Sequence, residues 1–314
     1  MLLRPYCWAR SRALSLGRNR RAPFGLSLPF PAGGSADILT RLLAKEIGRS
    51  QTVSMAVENR PGASAVLGTE AAARAAPDGN TLLITAPSFV INAHLRRVGY
   101  DPRASFAPIC VLVSSPQIIV VNTRSPYRSL SDLLHAAHAS PGALSLASVG
   151  PGSNSHLAFE LMERRAGVDI TYVPYPGNGP AVNALLGEHV SSAFVDYVAA
   201  AGEIKSGQLR AIATGSAARI EPIPELPTLR ELGLVDETAD VWFAVVAPAG
   251  TPPDAMSRLA AWFKAALQAP ALRPKLVAQG LYPAGICGAD FAAFIQRQYE
   301  ETGRIVRAAN IEPQ

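Results

Sequence analysis

Five short stretches gather the polar side chains and bare backbone that chemistry needs: "FPAGGSAD" (30–37), "PSFVIN" (87–92), "VGPGSNSH" (149–156), "PGNGPA" (176–181) and "DYVAA" (196–200). Most are rich in Gly, Pro, Ser and Asn, and none contains a lysine or an arginine. A phosphate site ordinarily recruits a cation, and GxxxxGK[ST] occurs nowhere in the chain. "GPGSNS" (150–155) is a weak dinucleotide match, because Ser155 stands where the third glycine belongs. What such loops offer is the N-terminal end of a helix, worth roughly half a positive charge, with hydroxyls and amides around it. That chemistry suits a small carboxylate held by N–H donors and bridging water.

Catalytic chemistry finds less support. The candidate acids and bases are Asp37, Glu58, Asp78, His156 and Asp196, with no nucleophile, base and orienting group among them. Ser153 and His156 are too close in sequence for a triad, and GxSxG is absent. His156 reads as a hydrogen-bond donor or as packing behind its loop. His135 and His138 share a helical face but lack a third ligand, which makes them solvated surface. No catalytic residue, metal or cofactor is expected. Each loop also has a plain structural reading. Ser35 serves as an N-cap with Asp37 complementing the dipole, Ser153 or Asn154 caps a later helix, and Pro180 suits a first turn. Five such loops after five strands argue for more than capping.

The elements that must position these loops alternate. Strands at 24–29, 52–59 and 81–86 bracket helical segments at 36–48 and 66–76. In the first helix Ile38, Leu39, Leu42, Leu43 and Ile47 form one apolar face. Two apolar runs, 106–113 and 117–122, follow without a helix between them. A second series of strands and helices then continues to "LRAIAT" (209–214). A proline-rich connector (220–228), the strand "VWFAVVAP" (241–248) and two or three helices complete the chain. The alternation predicts an α/β fold of two lobes, each a mainly parallel sheet flanked by helices, with the C-terminal part returning to the first lobe.

Composition agrees with a folded body. The 314 residues are 48% hydrophobic and only 17% charged. The net charge of +5 is misleading, since residues 1–21 hold six arginines and no acid. Taking those six from the 29 Lys and Arg leaves 23, against 24 Asp and Glu. No basic stripe with interleaved aromatics suggests nucleic acid. Residues 1–22 read as a disordered basic tail, without the unbroken apolar segment of a signal peptide. Cys7, Cys110 and Cys287 show no ligand spacing. Cys110 reads as a small core hydrophobe, with a Cys110–Cys287 disulfide left open.

The chain also resembles a known family, the Bug-type extracytoplasmic receptors of tripartite tricarboxylate transporters. The motifs include "PFPAGGSADILTRLLA" (29–44), "VENRPGASAVLGTEAAARAAPDGNTLL" (57–83), "ASVGPGSNSHLAFEL" (147–161) and "VPYPGNGPAVNALLGEHV" (173–190). The resemblance implies a periplasmic-binding-protein ("Venus flytrap") architecture. It places lobe 1 at 23–118 and 243–314 and lobe 2 at 119–242. It implies a periplasmic, monomeric, non-enzymatic receptor that takes a small carboxylate (a di- or tricarboxylate, an amino acid or an aromatic acid) and delivers it to membrane transporter subunits. The alternatives are a small-acid hydrolase or lyase on a similar scaffold, or an orphan receptor serving a sensor. Carried over by position, the ligand-binding set is Phe30, Ala32, Gly33, Gly34, Asp37 and Ser88 in the first lobe. In the second it is Ser148, Gly150, Ser153, Asn154, His156, Tyr175, Gly177, Asn178 and Asp196. Two departures stand out: "SAVLG" replaces a glycine-rich run, and Tyr197 follows Asp196 where a small or polar residue is usual.

Overall fold

A computed structural model describes residues 24–150, 153–236 and 238–308. The arginine-rich tail and its signal-peptide reading lie outside the described residues. The chain begins with β1 (Phe24–Leu28), α1 (Ser35–Gln51), β2 (Met55–Asn59), α2 (Val66–Ala73) and β3 (Thr81–Thr85). In α1 the spacing predicted from sequence buries Leu39, Leu43 and Ile47 completely. Each such side chain contributes about 1.5–3 kcal/mol of transfer free energy. The helix stops where Thr52 turns left-handed.

After β3 comes α3 (Ser88–Leu95), which the sequence reading treats as a loop. Then β4 (Phe106–Ser115) and β5 (Gln117–Asn122) follow with only Pro116 between them. These two strands belong to different sheets. The second series runs α4 (Leu130–Ala139), β6 (Ser145–Val149), α5 (Asn154–Ala166), β7 (Thr171–Tyr175) and α6 (Asn178–Leu186). It continues with β8 (Ser192–Asp196), α7 (Tyr197–Lys205) and β9 (Leu209–Thr214). The return consists of β10 (Val241–Pro248), α8 (Pro253–Gln268), α9 (Arg273–Ala278), β11 (Tyr282–Cys287) and α10 (Ala289–Ala308). The strand β11 is not anticipated by the sequence reading.

Two sheets result, ordered β11-β4-β10-β3-β1-β2 and β7-β6-β8-β5-β9. Both are mixed, where the alternation predicts them mainly parallel. The pairs β3-β1-β2 and β7-β6-β8 are parallel, as their helical crossovers require. Every pairing made by β4, β5 or β10 is antiparallel. The reason is connectivity: these strands carry the chain from one sheet to the other and back, so they enter each sheet from its far end. The chain changes sheet at Pro116 and again at Asp240–Val241.

Cys110 and Cys287 are disulfide-bonded, joining directly opposed residues of β4 and β11. That resolves the alternatives left open by the sequence. Each sheet has apolar packing on both faces, for example Leu26, Leu82 and Phe263 against Leu83, Phe89 and Phe291 in the first. In the second, Ile119, Phe159 and Phe194 lie on one face and Ile118, Leu185 and Val195 on the other. Among the described residues no helix is long and apolar enough to cross a membrane.

Candidate functional site

The loops that leave the carboxyl ends of β1, β3, β6, β7 and β8 open directly into α1, α3, α5, α6 and α7. Local contacts tie these loops and their helices to neighbouring elements. Pro29 lies so close to Gly68 of α2 that a Cβ there would meet the Arg60 carbonyl at 2.6 Å and Pro29 Cβ at 2.8 Å. The Asn92 amide of α3 donates to the Ser64 carbonyl just before α2 (2.8 Å). Ile91 and Leu95 of α3 pack with Leu157 of α5 and Val306 of α10. Asn154 at the start of α5 donates to the Asp240 carbonyl (2.8 Å). Asn178 at the start of α6 accepts from the Asp196 amide (3.3 Å).

The start of α1 is the barest. Its N-cap is Gly34, not Ser35, and no side chain caps the first turn. The first amides of a helix lack intrahelical partners, so they face outward unsatisfied. Ala32, Gly33 and Gly34 are exposed, while Phe30 packs beneath them against the core. Asp37 is not available to a ligand in this geometry. One carboxylate oxygen accepts from the Gly33 amide (3.0 Å) and from Arg41 Nε (2.9 Å), and the other accepts from Asn59 Nδ2 (3.0 Å). Gly33 holds a φ of +85°, a conformation that favours glycine. Asp37 therefore shapes the loop, and Arg41 neutralises it from behind. Led by the Arg41 hydrogen bond, these contacts pull its pKa down to about 2.

A depressed carboxylate pKa stabilises the fold above the unfolded value near 4 and loses that contribution as pH falls through 2. Because Arg41 is half exposed, the expected contribution is on the order of 1–2 kcal/mol. Asp37→Asn should lower the melting temperature at pH 7 and leave it nearly unchanged at pH 2. Equal losses at both pH values in a calorimetric comparison would show that charge is not the source.

The second-lobe residues divide by role. Ser153 is the N-cap of α5, accepting from the His156 amide (3.2 Å), as its plain reading expects. Ser148 is buried, with its Oγ 2.7 Å from Ser155 Oγ and 2.8 Å from the Phe194 carbonyl. The Gly150 amide donates to the Tyr175 carbonyl (3.3 Å). Gly177 is the N-cap of α6, again without a side-chain cap, and space is open where its Cβ would stand. His156 packs its ring on Tyr172 and approaches Glu160 at 3.6 Å. Burial lowers its pKa against the opposing pull of Glu160. It supplies no fixed cation. The Asn154 amide is engaged by Asp240, and Asn154 also lines a cavity of about 30 Å³ between α5 and α10. That volume holds a water or two, not a dicarboxylate. Ser88, at the start of α3, has a buried Oγ without a protein partner.

Of the other acids, Glu58 pairs with Arg60 on the surface and Asp78 closes the turn at Asn80. His135 and His138 are exposed, and no group of three potential metal ligands occurs among the described residues. Sequence reasoning missed Gln117 and Asp240. Gln117 Nε2 donates to Asp196 Oδ1 (2.8 Å), and the Ser216 hydroxyl donates to Asp240 Oδ1 (2.5 Å). A lone amide opening the apolar strand "QIIVVN" was the available signal. Where the departure "SAVLG" (64–68) begins, Ala63, Ser64 and Ala65 all take positive φ without being glycine. Such backbone costs about 1–3 kcal/mol per residue and is held by its surroundings, here including the Asn92–Ser64 bond.

Two mixed sheets flanked by helices and joined by crossing strands define a two-lobed periplasmic binding protein. The chain belongs to the tripartite tricarboxylate transporter family receptors, whose profile matches residues 39–311. It is 35% identical over 288 residues to the protein BugT of Bordetella pertussis, covering 91% of this chain and 88% of that one. The R. palustris protein Rpa4515, solved with adipate, superposes with a TM-score of 0.84 at 30% identity over 93% of this chain and 98% of that one. MatC of Rhodopseudomonas palustris, solved with bound malate, gives 0.78 at 27% identity over 90% and 98%. The family is one of periplasmic solute-binding receptors. The chain is a receptor of that kind and not an enzyme.

Proposed function

We propose that the protein captures a small carboxylate between its lobes and presents it to the membrane subunits of a tripartite tricarboxylate-type transporter. The observation that carries this reading is the uncapped start of α1 at Gly34, held open by the Asp37–Gly33 bond and free of lysine and arginine. A carboxylate placed there accepts hydrogen bonds from amides that have no other partner, in the favourable field of the helix. The likeness to proteins solved with adipate and malate supports an acid of that size. The proposed contacts are Ala32, Gly34 and Ser88 on one side and Gly150, Gly177 and Asn178 on the other, the Gly33 amide being already given to Asp37. Asp37, Ser148, Ser153, Asn154 and Asp196 hold those loops in place. Closure turns on the crossings at Pro116 and Asp240.

Calorimetric titration with adipate, malate and an uncharged diamide tests the proposal. One acid should bind with no chemical change on prolonged incubation, and the diamide should not bind. Because dipoles and not exposed cations hold the anion, affinity should fall less than about threefold between low and physiological salt. A steep salt dependence would reveal a missing cation.

A further inference from the structure

The two crossings between the sheets are tied together by a short polar chain. Gln117 opens β5 immediately after Pro116, and Asp240 immediately precedes β10. The Asp240 carboxylate accepts from the Ser216 hydroxyl, the Ser216 amide donates to Thr214 Oγ1, and the Thr214 hydroxyl donates to the Gln117 carbonyl (2.9 Å). The Gln117 side chain reaches across the antiparallel pair to Asp196, its register partner at the end of β8. The Asp196 amide in turn donates to Asn178 Oδ1, at the head of α6. Through its carbonyl, Asp240 also holds Asn154, at the head of α5. Both crossings and two of the candidate ligand loops are therefore one hydrogen-bonded unit.

That unit is short of a donor. The charge of Asp196 opposes that of Asp240, and both carboxylates lie near Gln117. Its amide hydrogens point to Asp196, so Gln117 Oε1 is buried without a partner. A buried acceptor without a partner bears its desolvation cost uncompensated. One added proton supplies a donor and also removes one of two neighbouring charges, Asp196 being buried and Asp240 half-buried. What the surroundings supply to the two carboxylates is neutral: the Asn178 side chain supports Asp196 and the Ser216 hydroxyl supports Asp240. From α5 come Asn154 and the His156–Glu160 pair, with the His156 ring turned onto Tyr172. From α6 comes Asn178, and from the segment after β9 comes Ser216. Tyr197 follows Asp196 in the chain, while Glu301 of α10 faces Asn154 across the narrow cavity. The influences on the two carboxylates include no lysine or arginine.

We propose that Gln117 and Asp240 are positioning residues for ligand capture, and that the Asp196–Asp240 pair takes up one proton when an anion is seated at the neighbouring helix starts. This rests on the carboxylate reading given above. Burial, first among the causes, pushes the Asp240 carboxyl up to about 6 and also raises Asp196. A seated carboxylate raises the pair further by like-charge repulsion. Binding then consumes a proton above pH 6, and affinity falls with pH by up to tenfold per unit there. A ligand bearing an ammonium group beside Asp196 would reverse the sign.

The test is titration of adipate and malate at pH 5 and pH 7.5, each in two buffers of different protonation enthalpy. Uptake approaching one proton per ligand at pH 7.5, and close to none at pH 5, supports the proposal. Binding with no proton exchange, or with proton release, overturns it. Asp240→Asn should abolish the uptake and flatten the pH profile. Gln117→Leu should weaken binding about tenfold and shift the profile, whereas an unchanged profile would leave it a merely structural residue. If neither acid binds at any pH, the carboxylate reading fails, and the proton is decided on the unliganded protein. There, a wild-type melting temperature that falls between pH 4 and 6, and does not fall in Asp240→Asn, supports the shared proton. A flat wild-type profile overturns it.

Discussion

Gly34→Val weakens carboxylate binding by at least a hundredfold and leaves the melting temperature within about 2 °C of wild type. The backbone of Gly34 has φ −78° and ψ 171°, which any residue adopts. A Cβ there meets nothing nearer than the Pro31 carbonyl oxygen at 3.8 Å, an ordinary contact. The side chain is therefore accommodated by the fold, and its methyl groups occupy the space through which an anion would reach the α1 amides. Each hydrogen bond to a charged group is worth about 1.5–3 kcal/mol, so losing one or two accounts for the change. Gly33 is the wrong position for the experiment, because its φ of +85° would strain any side chain regardless of ligand. Titration of wild type and Gly34→Val with whichever acid binds checks the prediction. Affinities within threefold of each other would move the anion away from α1.

Reducing the Cys110–Cys287 disulfide lowers stability more than any other single change considered. The bond closes a loop across a sequence separation of 177 residues. In the chain-entropy account a loop of that length is worth about 5 kcal/mol, with 2–5 kcal/mol the usual measured loss. For a chain of this size the melting temperature should drop by roughly 10 °C. The pairing also matters locally, since among the described residues β11 sits at the edge of its sheet, beside β4 alone. Melting of the oxidised protein, the reduced protein and the Cys110→Ala, Cys287→Ala double variant checks this. Both reduced forms should melt early, and agreement of all three within 2 °C would show that the bond contributes nothing.

Much of the fold was legible wherever one face of an element meets solvent. The spacing of Leu39, Leu43 and Ile47 predicts α1 because Arg41, Lys45 and Arg49 lie between them. The failure at α3 has the opposite cause. Phe89, Val90, Ile91, Asn92 and Leu95 are all buried, so its apolar residues show no period. The strand β11 hides behind the proline and glycine of "YPAGIC", which an edge strand tolerates. Strand direction is not local information, which is why both sheets are mixed where alternation suggested parallel. At the site, bare loops and helix starts could be read directly. The engagement of Asp37 by Gly33, Arg41 and Asn59 could not, and neither could the meeting of Gln117 with Asp240, because the partners are distant in sequence.

The position of β10 has a consequence for how the molecule is made. It lies between β3 and β4 in the middle of the first sheet, although it follows every strand of the second in the chain. While the chain emerges, β5 to β9 can complete their own sheet, but β3 and β4 must wait with open edges until residues 241–248 arrive. Pairings of such long sequence separation are slow, and unpaired strands are prone to associate with other chains. The sheet that starts first is thus finished last.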